Sequence, residues 1–283
     1  MKLVRYGRYG HEQPGLIDAQ GHLRSLGGIV DEIDADIFGR PQALRGIDAE
    51  SLPLVSGKPR LGVPFVGIGK FIAIGLNYRD HASEAHMAIP ASPIVFNKWT
   101  TCISGPNDAV LRPPGARKLD WEVELGVVIG RETRFVREAD ALKHVAGYCL
   151  VNDVSERAYQ LEQGSQWNLG KGCDTFGPVG PWLVSRDEIA DPQNIDLWLD
   201  VNGERMQTGN TRDMIFGVAY LVAYLSRYMT LLPGDLIATG TPPGVGMGRK
   251  PPRYLQPGDV VTLGSPQLGT QRQEIRSAPQ RPL

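Results

Sequence analysis

The stretch DWEVELGVVIG, residues 120–130, restricts this chain more than any other. Its second half, with Val127, Val128 and Ile129, has the composition of a buried strand. Yet Glu122 and Glu124 stand at its start. In a strand, residues i and i+2 point to one face, so the two carboxylates aim at one volume, about 6–7 Å apart along the chain. Such a pair repels unless positive charge lies between its members. A lysine or arginine can supply that charge. A hard divalent cation such as Mg²⁺, Mn²⁺ or Ca²⁺ supplies it with a preference for oxygen ligands. The competing reading is an edge strand whose polar face is simply solvated.

Three other clusters bear on this choice. The strand candidate VAGYCLVND ends in Asp153, just before VSERAYQ. Asp153 would complete a set of three carboxylates and leave metal positions open for water and substrate, although an aspartate there also suits a helix N-cap. In GLNYRDHASEAH, His81 and Glu84 are i, i+3 neighbours on a helix, where a carboxylate behind an imidazole raises its basicity. The alternative is a surface His–Glu pair. In LGKGCDTFGPVGPW, Lys171 lies in a Gly-rich turn, where it could stabilise a developing oxyanion or simply be solvated.

With 34 glycines and 22 prolines spread along 283 residues, the chain reads as many short strands and turns. Strands are expected in KLVRYG, PGLID, GHLRSL, FIAIGLN, PIVFNK, VELGVVIG, VAGYCLVND, PWLVS, IDLWLDVNG, DLIATG and DVVTLG. Helices are expected in READALKHV, VSERAYQLEQ and, longest, RDMIFGVAYLVAYLSRYM. The class is α+β, without Rossmann alternation and without a G-x-G-x-x-G after a strand. SGKPRLGVPFVG suggests a boundary, giving a small strand-rich N-terminal domain over 1–65 and a larger one over 66–283. A net charge of −1 favours neither nucleic acid nor an anionic membrane as partner. Three scattered cysteines without a CxxC pair argue against a disulfide framework or a zinc site. No apolar leader stands at the start, and the longest apolar segment is interrupted by Ser226 and Arg227, so a cytoplasmic address is expected.

The motifs GLNYRDHASEA, DWEVELGVVIG, NDVSERAYQ, GKGCDTFGPVGPW, VNGERMQTGNTRDMIF and PGDLIATGTPPGVG follow one another in an order that resembles the fumarylacetoacetate hydrolase family, over roughly residues 66–270. The resemblance implies a mixed β-roll with a more variable N-terminal part, and a homodimer. It implies Mg²⁺, or Mn²⁺ or Ca²⁺, on Glu122, Glu124 and Asp153, and a substrate-facing Lys171. It also implies a His81–Glu84 dyad on a mobile lid. Asn77 and Tyr78, just before the dyad, are expected from their position to shape its hinge. Arg157, Gln160 and Thr241 match substrate-contacting positions. Within the family, the whole-chain pattern is similar to hydrolases of 2,4-diketo-3-deoxy-L-rhamnonate, the same compound as the oxidised L-fuconate derivative, which would yield pyruvate and L-lactate. Acylpyruvate hydrolase, oxaloacetate decarboxylase and ureidoglycolate lyase activities occur on the same framework, and a non-catalytic binding homologue is the reading from another class.

Overall fold

The apolar runs of the sequence are strands, and their order in space explains the site. The computed structural model describes residues 1–40, 44, 46–84, 88–164 and 166–279, with backbone alone for residues 81–83. One large sheet runs Leu23–Ser25, Gln13–Ile17, Lys2–Tyr6, Gly177–Ser185, Val145–Asn152, Val123–Ile129, Leu236–Ala238, Phe71–Gly75 and Ile94–Lys98, side by side in that order. Neighbours are antiparallel except Leu236–Ala238 beside Phe71–Gly75. The first strand joins the rest directly, with Lys2 opposite Val184 and Leu3 opposite Leu183. A second sheet runs Glu204–Asn210, Asp196–Val201, Val260–Ser265, Gly269–Ser277 and Val110–Arg112. The structure is α+β, mostly strands with few helices.

Val123–Ile129 is buried along its whole length, between Val145–Asn152 on one side and Leu236–Ala238 on the other. It is not an edge strand, so the solvated-edge reading of its glutamates is excluded. Buried on both faces, it follows the continuous apolar run that such strands require. Where the two sheets face each other, buried amides take up backbone groups outside the ladders. Gln271 donates to the carbonyls of Leu150 and Gly180, and Asn152 donates to Gln273. A buried backbone group left unpaired is costly, so these amides also fix how the sheets sit on one another.

Helices are shorter than the sequence pattern suggests. Residues 212–229 read as one helix, but Thr211–Asp213 is a 3₁₀ turn and the α-helix covers Val218–Leu225 only. Before it, Met214 bridges Tyr78 and the Phe216 amide donates to Asn77 Oδ1 at 2.8 Å, so these backbone groups are already committed. After it, the Ser226 hydroxyl donates to Ala223 O and accepts from Val136 N, which closes the last turn. Likewise VSERAYQ is not helical from its start. Ser155–Glu156 pairs with Leu119–Asp120, and Glu156 caps the helix Arg157–Leu161 by accepting from Ala158 N. Among the described residues no helix is long and apolar enough to cross a membrane.

Leu125 lies at the centre of the large sheet with no exposure. Leu125→Ala is expected to lower unfolding free energy by about 2–5 kcal/mol, through lost burial and the cavity left behind. Urea denaturation measures it, and an unchanged midpoint would show that this strand is not central to the core.

Candidate active site

Strand pairing brings the acidic residues together. Val123–Ile129 and Val145–Asn152 are antiparallel, with Glu124 opposite Val151 and Val123 opposite Asn152. The pairing continues one step further, where Asp153 N donates to Glu122 O at 2.9 Å. Asp153 therefore arrives beside the two glutamates, although Glu122 itself precedes the regular strand. One carboxylate oxygen from each of Glu122, Glu124 and Asp153 lies within 4.8 Å of the others, and all three residues are buried. Two buried amides hold the backbone here. Asn152 Oδ1 accepts from Glu122 N at 3.2 Å and Gln207 Oε1 accepts from Val123 N at 3.0 Å. Asp153 does not act as an N-cap, since both its oxygens are taken by lysines.

Those lysines are Lys171 and Lys98. Lys171 Nζ donates to Glu122 Oε2 and to Asp153 Oδ2, both at 2.7 Å. It ends the helix Trp167–Lys171 and is only 2 % exposed, so it is not a solvated turn lysine. Lys98 Nζ donates to Asp153 Oδ1 at 2.6 Å and to the Lys171 carbonyl. Lys98 was not singled out in the sequence. The available signal was its i+2 spacing from Phe96 in PIVFNK, which puts it on the inward face of that strand. Burial opposes the charge on Lys98, but Asp153, Cys102 and Glu122 together outweigh it and hold its pKa above the ordinary lysine value.

Arg157 completes the cation set. Its guanidinium donates to Asp120 Oδ2 at 2.9 Å, Gln160 Oε1 at 3.0 Å and Glu122 Oε1 at 2.6 Å. Asp120 also accepts from Gly246 N and Met247 N, so it ties the site to the 246–247 backbone. Burial disfavours the charge on Arg157, and Glu122 and Asp120 more than restore it. Such networks are costly to break on one side only, because the remaining charge stays buried.

Glu124 differs from its neighbours. Among the described residues its one hydrogen bond comes from Gly240 N at 2.8 Å, and no cationic side chain touches it. Burial, then Asp153 and Glu122 nearby, push its pKa well above the usual carboxylate range. An ionised Glu124 needs more positive charge than the side chains provide. Three hard oxygen donors converge, one of them lacking a cation, and Lys171 already bridges the other two. That arrangement could hold a divalent metal ion, and Glu124 gives the clearest reason for one.

A cavity of about 40 Å³ opens beside this cluster. Arg157, Gln160, Lys171 and Thr241 line it together with Phe96 and Trp167, and the Lys171 ammonium lies over the Phe96 ring, 5.3 Å from its centroid. The Thr241 hydroxyl donates to Val123 O at 2.9 Å and accepts from Gln207 at 2.8 Å. The helix Arg79–Glu84 brings Glu84 to the loop after Thr241, where Gly244 N lies 3.1 Å from each of its carboxylate oxygens. The His81 side chain lies outside the described residues. Asn77 is fully buried and donates to the carbonyls of Phe216 at 3.0 Å and Thr239 at 2.8 Å, which anchors the chain just before that helix.

Glu124→Gln separates the two effects. In EDTA the variant is expected to be at least as stable as the parent, because a buried carboxylate without a cation has been neutralised. With Mg²⁺ at about 100 times its Kd the parent should gain about 2.7 kcal/mol and the variant almost nothing. Equal gains in melting experiments would remove Glu124 from the metal set.

Comparison with known proteins agrees with this architecture. Residues 70–276 match the family model described as the fumarylacetoacetate hydrolase C-terminal domain. A Burkholderia ambifaria (strain MC40-6) protein whose name says only that it is a hydrolase is 58% identical over 98% of this chain and 100% of its own length. The solved fumarylacetoacetate hydrolase from Exiguobacterium antarcticum superposes with a TM-score of 0.89 at 34% identity, covering 98% of this chain and 100% of that one. A maleylpyruvate hydrolase from Sphingobium sp. SYK-6, solved with manganese(II) and pyruvate, gives 0.83 at 29% identity over 99% of this chain and 100% of that one. Matched along most of its length, the chain belongs to the fumarylacetoacetate hydrolase family.

Proposed function

We propose that this chain is a divalent-metal-dependent hydrolase cleaving the C3–C4 bond of a 2,4-diketo acid. The substrate we favour is 2,4-diketo-3-deoxy-L-rhamnonate (L-fuconate), giving pyruvate and L-lactate. The observation that carries this reading is the convergence of Glu122, Glu124 and Asp153 with Lys171 between two of them. The maleylpyruvate hydrolase of the same fold, solved with manganese and pyruvate, supports a metal and an oxo acid at such a site.

Charge supports an anionic substrate. Asp120, Glu122, Glu124 and Asp153 face Lys98, Arg157 and Lys171, so one negative charge is in excess. A divalent cation reverses that excess, and a monocarboxylate then neutralises the cluster. Mg²⁺, with Mn²⁺ or Ca²⁺ as substitutes, would be held by Glu122, Glu124 and Asp153 and would supply Lewis-acid polarisation of the 2-keto oxygen.

The chain's own groups do the rest. His81, oriented by Glu84, takes a proton from water, and the hydroxide oxygen bonds to C4. The C3–C4 bond breaks, its electron pair passes into the enolate of pyruvate, and C3 is then protonated. Lys171 places an ammonium group against the developing negative charge. Arg157 and Gln160 orient the substrate, and Thr241 shapes the floor near its carboxylate. Glu84 on Gly244 N ties the lid to the loop after Thr241, and closure would exclude bulk water. The enzyme is proposed to work as a cytoplasmic homodimer.

The deciding assay supplies Mg²⁺-loaded protein with 2,4-diketo-3-deoxy-L-rhamnonate, acetylpyruvate and oxaloacetate in parallel, and quantifies pyruvate, lactate, acetate and CO₂. Fast release of pyruvate with lactate supports the proposal, and CO₂ release without C3–C4 cleavage refutes it. His81→Ala should keep metal and pyruvate binding while hydrolysis falls by about 10²–10⁴-fold, the usual worth of a general base. Undiminished turnover in that variant would show that another group activates the water.

A further inference from the structure

The cavity lining that adjoins the charged cluster has a different chemistry. Phe96 and Trp167 meet edge to face with ring centroids 5.3 Å apart, and Ile74, Gly75 and Leu76 continue the same surface. The Trp167 ring lies where a side chain at Gly75 would be, since a Cβ there would come within 2.5 Å of its ring. Glycine at 75 is what lets the edge of the indole approach the end of strand Phe71–Gly75.

Among the described residues the cation against this wall is Lys171, whose ammonium lies over the Phe96 ring, 5.3 Å from its centroid, and is already shared by Glu122 and Asp153. Among the described residues lining the cavity the cations are Arg157 and Lys171. Arg157 spends Nε, Nη1 and Nη2 on Asp120, Gln160 and Glu122. Lys171 is committed to Glu122 and Asp153, at the end where the oxo acid's own carboxylate is proposed to bind. What remains is neutral. Gln160 accepts from Arg157 through Oε1, and its amide nitrogen makes no hydrogen bond among the described residues. That NH₂ suits a hydroxyl or keto oxygen.

We propose that Trp167 and Phe96, with Ile74 and Leu76, form the specificity wall for the substrate's distal end, and that the enzyme takes oxo acids with a short, uncharged tail and rejects dicarboxylates. This rests on the proposed binding of an oxo acid at the carboxylate cluster. It sets the chain apart from its relative named for maleylpyruvate, whose substrate carries a carboxylate at each end. A second carboxylate against this wall would lose its water and gain no partner, whereas a methyl-terminated tail packs on the rings and can offer a hydroxyl to Gln160.

The test separates binding from catalysis. 2-Oxopentanoate and 2-oxoglutarate have the same chain length and differ in the distal carboxylate, and neither has a 4-keto group to cleave. Their Kd values on the Mg²⁺-loaded enzyme are measured by calorimetry. The monocarboxylate is expected to bind at least about 30-fold more tightly, the scale set by burying an unpaired charge. Trp167→Arg should narrow that gap by about tenfold by offering the missing cation. Should that variant not fold, Trp167→Ala should weaken 2-oxopentanoate and leave 2-oxoglutarate as weak as before. Equal affinity of the two acids for the parent enzyme, or a gap unmoved by either variant, would overturn the wall's role even if C3–C4 cleavage is observed. Selective binding of 2-oxopentanoate with no cleavage of any diketo acid would instead sink the proposed reaction and leave the wall standing.

Discussion

Four buried carboxylates facing three buried cations set the terms for the rest of this molecule. Asp120, Glu122, Glu124 and Asp153 would not stay buried and ionised in an apolar sheet by themselves. Lys98, Lys171 and Arg157 make the cluster tolerable, each bridging two or more acceptors. The balance remains one positive charge short, and the shortfall is concentrated on Glu124. A site built in this way is biased toward a divalent cation and an anion together, and that bias, more than any single residue, suits chemistry that places negative charge on an oxo acid.

Precision comes from the sheets around it. The two site strands are buried along nearly their whole length, and their register continues to Asp153. Amides on Asn152 and Gln207 satisfy the backbone exactly where the ladder stops, so the carboxylates are presented by a backbone with no loose donors. Asn77 and Glu84 extend this logic outward. The first pins the chain before the short helix to Phe216 and Thr239, and the second meets the loop after Thr241. The chain before the His81 helix and the end of that helix are thus both fastened close to Thr241, which lines the cavity.

Much of this was readable in the order of the residues. Period-2 spacing put Glu122 and Glu124 on one face, apolar composition named the strands, and the succession of motifs identified the family. The helix boundaries were less legible, because Met214, Phe216 and Ser226 are claimed by partners distant in sequence, and no local pattern records that. The role of Lys98 is hidden in the sequence for a similar reason. A lysine at a strand end is ordinarily solvated, and only the approach of Asp153 and the Lys171 carbonyl makes it a buried member of the cluster.

The sequence by itself determined which groups are available: three acids able to share a cation, a lysine, an imidazole with its carboxylate, and the α+β class that presents them. The tertiary structure alone decided how the charges pair. Among the described residues it left Glu124 without a cation, tied all three guanidinium nitrogens of Arg157 into the cluster, and set Trp167 against Gly75 to make an apolar wall. The physical reason is that composition and spacing act along the chain. Coulomb interactions and packing act through space, between residues that the fold brings from strands far apart in sequence.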